Sequence, residues 1–176
     1  MERDQKRKEQ LMWIKPLMIL LIIAGLFMVY QKVSYESRDF YAEYYTEYPP
    51  YVVAGSEQRV GMTLAMELYG QQEYEKAIPV LDMVIKNPSY TATAHVYRGL
   101  CKLNMAQHWE AIQDFEAAKK SESTLEAAEW YKILSLIALE PIEGEERKSD
   151  AIVLLEYYVS TYTFKKAEAK ELLSDY

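Results

Sequence analysis

The chain has 176 residues, 50% of them hydrophobic and 27% charged, which excludes an intrinsically disordered chain and allows one folded domain with an appendage. Six Gly, six Pro and a single Cys exclude collagen-like sequences, disulfide frameworks and multi-cysteine metal sites. The net charge of −7 is unevenly spread: residues 1–33 carry six Lys/Arg against three acids, which leaves −10 on the remainder, and so acidic a body argues against nucleic-acid binding.

Residues 1–10 form a basic tail, with Arg3, Lys6, Arg7 and Lys8. Residues 11–30, LMWIKPLMILLIIAGLFMVY, carry one charge in twenty positions. A helix of that length rises about 30 Å, the thickness of a bilayer's hydrocarbon core, so this segment is expected to be a transmembrane helix. Lys15 lies near one end, where its stem can reach the headgroups, and Pro16 lies in the first turns, where a missing N–H costs little. Trp13 and Tyr30 bracket the apolar run as interfacial aromatics do. A cleaved signal peptide is the rival reading, but no small-x-small site follows Gly25, and the lone Cys101 offers no lipobox. The basic residues before the span put the N-terminus in the cytoplasm, and the body on the far side of the membrane.

Residues 31–55 are a Tyr-rich lead-in. Phe40, Tyr41, Tyr44, Tyr45 and Tyr48 recur at the spacing of one helical face, which Pro49-Pro50 then ends. Three roles stay open for this stripe: a cap packed on the first repeat, a girdle at the headgroups, or an exposed surface for a partner. The acids Glu36, Asp39, Glu43 and Glu47 disfavour an anionic membrane surface, so a structural role is the leading expectation.

From residue 56 to 176 the chain repeats. Ala65, Tyr69, Ala77, Ile78, Leu81 and Val84 fall 34 residues before Gly99, Leu103, Ala111, Ile112, Phe115 and Ala118. Each copy places a small residue twelve positions before an Ala, which lets two antiparallel helices approach closely. Asn87-Pro88 ends the first copy. In a third, degenerate copy, Ala128 and Tyr131 match Ala94 and Tyr97 at 34, whereas Ala151, Ile152 and Leu155 match Ala111, Ile112 and Phe115 at 40. The six extra residues are assigned to Pro141–Glu146 and expected to form an exposed turn. Phe164–Leu173 has the apolar stripe of a terminal capping helix. The pattern predicts helices near 56–70, 74–86, 91–105, 108–120, 125–139, 148–161 and 164–174, and no strand.

Through YEKAI (Tyr74–Ile78), YRGLCKL (Tyr97–Leu103), WEAIQDF (Trp109–Phe115) and AAEWY (Ala127–Tyr131), the chain resembles bacterial single-span, membrane-anchored tetratricopeptide-repeat proteins of the cell envelope. Lys102 and His108 depart from that pattern, since such repeats prefer large apolar or aromatic residues there. Unit two also lacks a closing Pro, having Ser121-Glu122-Ser123. The resemblance implies an all-α fold: a transmembrane helix, then a short solenoid of about three repeats with a cap. It implies a scaffold or adaptor in the inner membrane, with a periplasmic body binding a protein or peptide, such as another membrane-complex subunit, in its concave groove. By the repeat register the groove-facing candidates are Arg59, Met62, Met66, Tyr69, Thr93, Val96, Asn104, Tyr131 and Ser135, with Leu100 and Leu103 either lining the groove or packing inward. Two other readings share this architecture: a transmembrane signalling component, and a mitochondrial-type receptor whose repeats face the cytosol.

Chemistry is not expected. His95 and His108 lie thirteen apart on different helices, and Cys101 has Leu neighbours, so each reads as an ordinary helix residue. Glu140, Glu143, Glu145 and Glu146 lack the spacing of a calcium loop and read as a solvated turn. No catalytic, cofactor-binding or metal-binding residue is assigned, and no small-molecule substrate is expected.

Overall fold

The computed structural model describes Met18 and residues 20–28, 39–50, 60–143 and 145–176; the side chains of residues 140–149 lie outside that description. The chain divides into two units, Met1–Asp39 and Phe40–Tyr176. In the first, residues 20–28 form helix α1, whose Leu20, Leu21, Ile22, Ile23, Leu26 and Phe27 are exposed. Among the described residues no helix is long and apolar enough to cross a membrane. The 1–10 tail and much of the 11–30 segment, Trp13, Lys15, Pro16 and Tyr30 included, lie outside the described residues.

The second unit is all-α. A short α2 (Phe40–Tyr44) precedes α3 (Val60–Gly70), α4 (Tyr74–Val84), α5 (Thr91–Asn104), α6 (His108–Ala118), α7 (Glu122–Glu143), α8 (Glu145–Thr161) and α9 (Lys166–Asp175). From α3 onward each helix packs on the next, so the nine helices of the described residues include three sequential pairs and a closing helix. This is the arrangement of a helical repeat.

Small residues set the spacing within each pair. Ala65, Ala77, Ala111 and Ala151 are fully buried. A Cβ on Gly99 would lie 2.7 Å from the Phe115 ring, so only Gly lets α5 and α6 meet there. Leu81, Phe115 and Leu155 are buried at equivalent positions of the three second helices.

The turns repeat as well. At the end of α3, the Gln72 N–H donates to the Tyr69 carbonyl and the Glu73 N–H to that of Leu68. At the end of α5, the Ala106 N–H donates to Leu103 and the Gln107 N–H to Lys102. Both are Schellman closures, and both put a non-glycine residue in the left-handed region, with φ 60° at Gln72 and φ 58° at Ala106. The two residues are 34 apart, so the period extends to individual backbone bonds. Between pairs, a threonine hydroxyl closes the preceding helix: Thr91 donates to the Ile85 carbonyl (2.8 Å) and Thr124 to that of Ala118 (2.6 Å). Thr124 thus serves where the expected Pro is missing.

Two expectations are corrected. Pro141, Ile142 and Glu143 belong to α7, and Glu145 and Glu146 to α8, so the insertion lengthens two helices instead of opening a loop. A Pro this near a helix end removes one intrahelical bond while the remaining turns persist. The aromatic stripe is not one helix through residue 48. Its last helical bond runs from the Tyr45 N–H to the Tyr41 carbonyl, and residues 45–50 are irregular. Pro49 and Pro50 hold Tyr48 and Pro49 away from helical backbone angles, and carbonyls of this stretch are bonded elsewhere.

Candidate functional site

Residues 40–50 form a strap against α5, α7 and α9, within one core that also includes Met62, Tyr69, Leu100 and Leu103. Phe40 and Tyr44 are buried. The Phe40 ring meets Tyr176 edge-on at 5.3 Å, and the Tyr44 hydroxyl donates to Asp175 at 3.2 Å. Tyr41 packs against Tyr45 and His108. Asn104 Nδ2 donates to the Tyr45 hydroxyl (2.5 Å), and the Tyr45 ring lies against Tyr131. Tyr48 touches the rings of Tyr97, Tyr131 and Phe164. The strap's main chain is held too: the Tyr131 hydroxyl donates to the Thr46 carbonyl at 2.7 Å, and the Tyr97 hydroxyl to the Pro49 carbonyl at 2.5 Å. A Cβ on Gly70, at the end of α3, would lie 3.8 Å from the Pro50 ring.

Of the groove candidates, Asn104 and Tyr131 hold this strap. Met62, Met66, Tyr69 and Val96 are buried, as are Leu100 and Leu103. The Tyr69 ring packs on Tyr97 at 5.1 Å. Its hydroxyl lies beside that of Tyr45, with which it interacts. Ser135 is buried and donates back to the Tyr131 carbonyl on its own helix. Thr93 is half-buried. Arg59 lies outside the described residues. The aromatic stripe therefore runs over the second and third pairs and the closing helix, in place of a cap confined to the first repeat. Sequence reasoning omitted Tyr97, Phe164 and Asp175 from the site. The signal for Tyr97 was present, because it matches Tyr131 at the repeat distance.

Burial keeps these hydroxyls neutral. Loss of solvent pushes the Tyr44 hydroxyl up to about 12, with Asp175 adding to the rise. Burial raises Tyr45, Tyr48, Tyr69 and Tyr131 as well. The face is thus a bed of rings with O–H donors, suited to taking up the carbonyls of a non-helical segment.

A second polar cluster ties helices together. Asp114 is only 2% exposed. It accepts from His95 Nδ1 (2.8 Å), Arg98 Nε (3.0 Å) and Lys102 Nζ (2.7 Å), while Arg98 also reaches Asp82 on α4. Burial pushes the Asp114 carboxyl up, but bonds from His95, Arg98 and Lys102 outweigh it and hold the group at about 2. Lys102 thus departs from the repeat pattern because it serves this carboxylate. Nearby, Lys119 and Lys132 interleave with Glu116 and Glu129 between α6 and α7. Glu126 accepts from the backbone N–H groups of Thr163 (3.0 Å) and Phe164 (2.6 Å), which fixes the turn into α9.

Cys101 is fully buried, and burial pushes its thiol up to about 12. Burial lowers His108, whose Nδ1 has no bonded partner among the described residues. No group of three or more His, Cys, Asp or Glu able to hold a metal occurs among the described residues. The side chains of Glu140, Glu143, Glu145 and Glu146 lie outside the description.

No protein-family model matches the chain. No curated protein matches it at a significant level.

Proposed function

We infer that this protein is a membrane-tethered scaffold, in which a short tetratricopeptide-like array binds a protein or peptide partner on its inner face. The observation that carries this reading is the strap: two tyrosines 34 residues apart, Tyr97 and Tyr131, donate to main-chain carbonyls of an irregular segment. That is how a rigid repeat array would hold a peptide. The tether rests on the uncharged run Pro16–Tyr30 and on the exposed apolar side chains of α1. The basic residues before it favour a cytoplasmic N-terminus, and so a periplasmic body in a bacterial inner membrane.

The tether and its direction are tested together. A compartment-sensitive reporter fused after Tyr176 should be active only outside the cytoplasm. The native chain should stay in membranes washed with alkaline carbonate. Ile19→Lys with Ile22→Lys should release it, since each charge near a span's centre costs about 2.5–3.5 kcal/mol. Extraction of the native chain by carbonate would refute the tether. A reporter active only in the cytoplasm would turn the body to the other side.

A further inference from the structure

We propose that the inner face recognises an extended, tyrosine- and proline-containing segment of a separate protein at three residues per helix pair, and that residues 45–50 are its resident competitor. This deepens the scaffold reading and rests on it for the choice of binding face.

The register carries the argument. Tyr97 and Tyr131 occupy equivalent positions of successive pairs, and the carbonyls they bind belong to Pro49 and Thr46, three residues apart. A polyproline-like chain advances about 3.1 Å per residue, hence roughly 9 Å per three residues. Packed helices lie about 8–10 Å apart. One triplet therefore spans the step from α5 to α7, with a tyrosine hydroxyl on a carbonyl at each end. The strap keeps this period in its side chains, since Tyr45 and Tyr48 each precede a bonded carbonyl by one residue. It runs against the order of the pairs, from Tyr131 in the third, through Tyr97 in the second, to Gly70 in the first.

Recognition of this kind reads main chain more than side chain. It asks of a ligand two aromatic residues three apart and a proline-biased backbone that cannot turn helical. Tyr45 and Tyr48 are only half-buried in place.

The probe is a fluorescein-labelled peptide of residues 40–50, FYAEYYTEYPP, titrated by anisotropy against the full chain in detergent. Tyr45→Ala with Tyr48→Ala weakens the resident strap and leaves the groove side chains in place. This variant should bind the peptide at least tenfold more tightly than the wild-type chain. Adding Tyr97→Phe and Tyr131→Phe should abolish that gain, and a scrambled peptide should not bind. A strap variant with wild-type helical circular dichroism and no gain in affinity would overturn the proposal, as would equal binding of the scrambled peptide. If the strap variant loses its helical signal, the wild-type chain is saturated with unlabelled peptide and followed by hydrogen exchange. Faster exchange at residues 45–48 supports displacement, and unchanged exchange refutes it. A wild-type dimer that dissolves in the strap variant would make a second copy the occupant and overturn the claim of a separate partner. Carbonate extraction reports on the tether alone, so neither result decides the other.

Discussion

Asp114 is the buried acid on which three side chains of α5 converge, and its behaviour in acid follows from that placement. Its carboxyl is held at about 2, below the ordinary 3.8. A depressed carboxylate contributes stability that is present above its unfolded value and lost as the pH falls through its folded one. The window is therefore about pH 4 down to 2, and the contribution is about 2 kcal/mol. Asp114→Asn should lower the melting temperature at pH 7 by about 5 °C and flatten the acid limb of the stability curve. An unchanged acid limb in thermal melts would remove Asp114 from that role. At the two Schellman turns, Gln72→Gly and Ala106→Gly should each stabilise the fold by about 0.5–1 kcal/mol. The left-handed penalty of a side chain, about 1–2 kcal/mol, exceeds the added freedom of glycine in the unfolded chain. Urea midpoints give the measure, and a lower midpoint in either variant would contradict the turn geometry.

At the scale of elements, the helix starts at Tyr74, Thr91 and His108 coincide with the sequence expectation, because apolar period and turn residues agree at those places. The helix pairing was legible for the same reason, through Ala65, Ala77, Gly99 and Ala111. The strap was legible only in part. Its aromatic spacing suits a helical face, and nothing local reveals that the carbonyls of Thr46 and Pro49 have partners 85 and 48 residues away. The Asp114 cluster was hidden differently. His95, Arg98 and Lys102 share one face of α5, but their shared acid lies on another helix and looks like one more surface Asp in WEAIQDF.

The strap should also respond to alkali before the helix pairs do. Burial raises the hydroxyls of Tyr44, Tyr45, Tyr48 and Tyr131, so their contribution is complete below the ordinary value of 10 and is lost as the pH climbs through the folded values. Between about pH 10 and 12, tyrosinate absorbance should rise together with loss of near-ultraviolet circular dichroism. Tyr131→Phe should move that transition to lower pH by removing one strap bond. A tyrosinate rise complete by pH 10.5, with no change in near-ultraviolet signal, would show that the strap tyrosines are not buried as described.

From α3 onward among the described residues, each helix packs on the next, and first helices of successive pairs also meet, whereas the strap reaches from α2 to α7 and α9. The Tyr44 hydroxyl meets Asp175, 131 residues later. On a ribosome adding 5–20 residues per second, that interval is roughly 7 to 26 s. Over that interval the aromatic, proline-ended stretch has been made and its bed is completed in steps, through Tyr97, Asn104 and Tyr131 to Asp175. Each newborn chain passes through a period in which residues 40–50 are without part of their intramolecular seat. The strap is thus seated by partners that arrive one after another during synthesis, the last of them at Asp175.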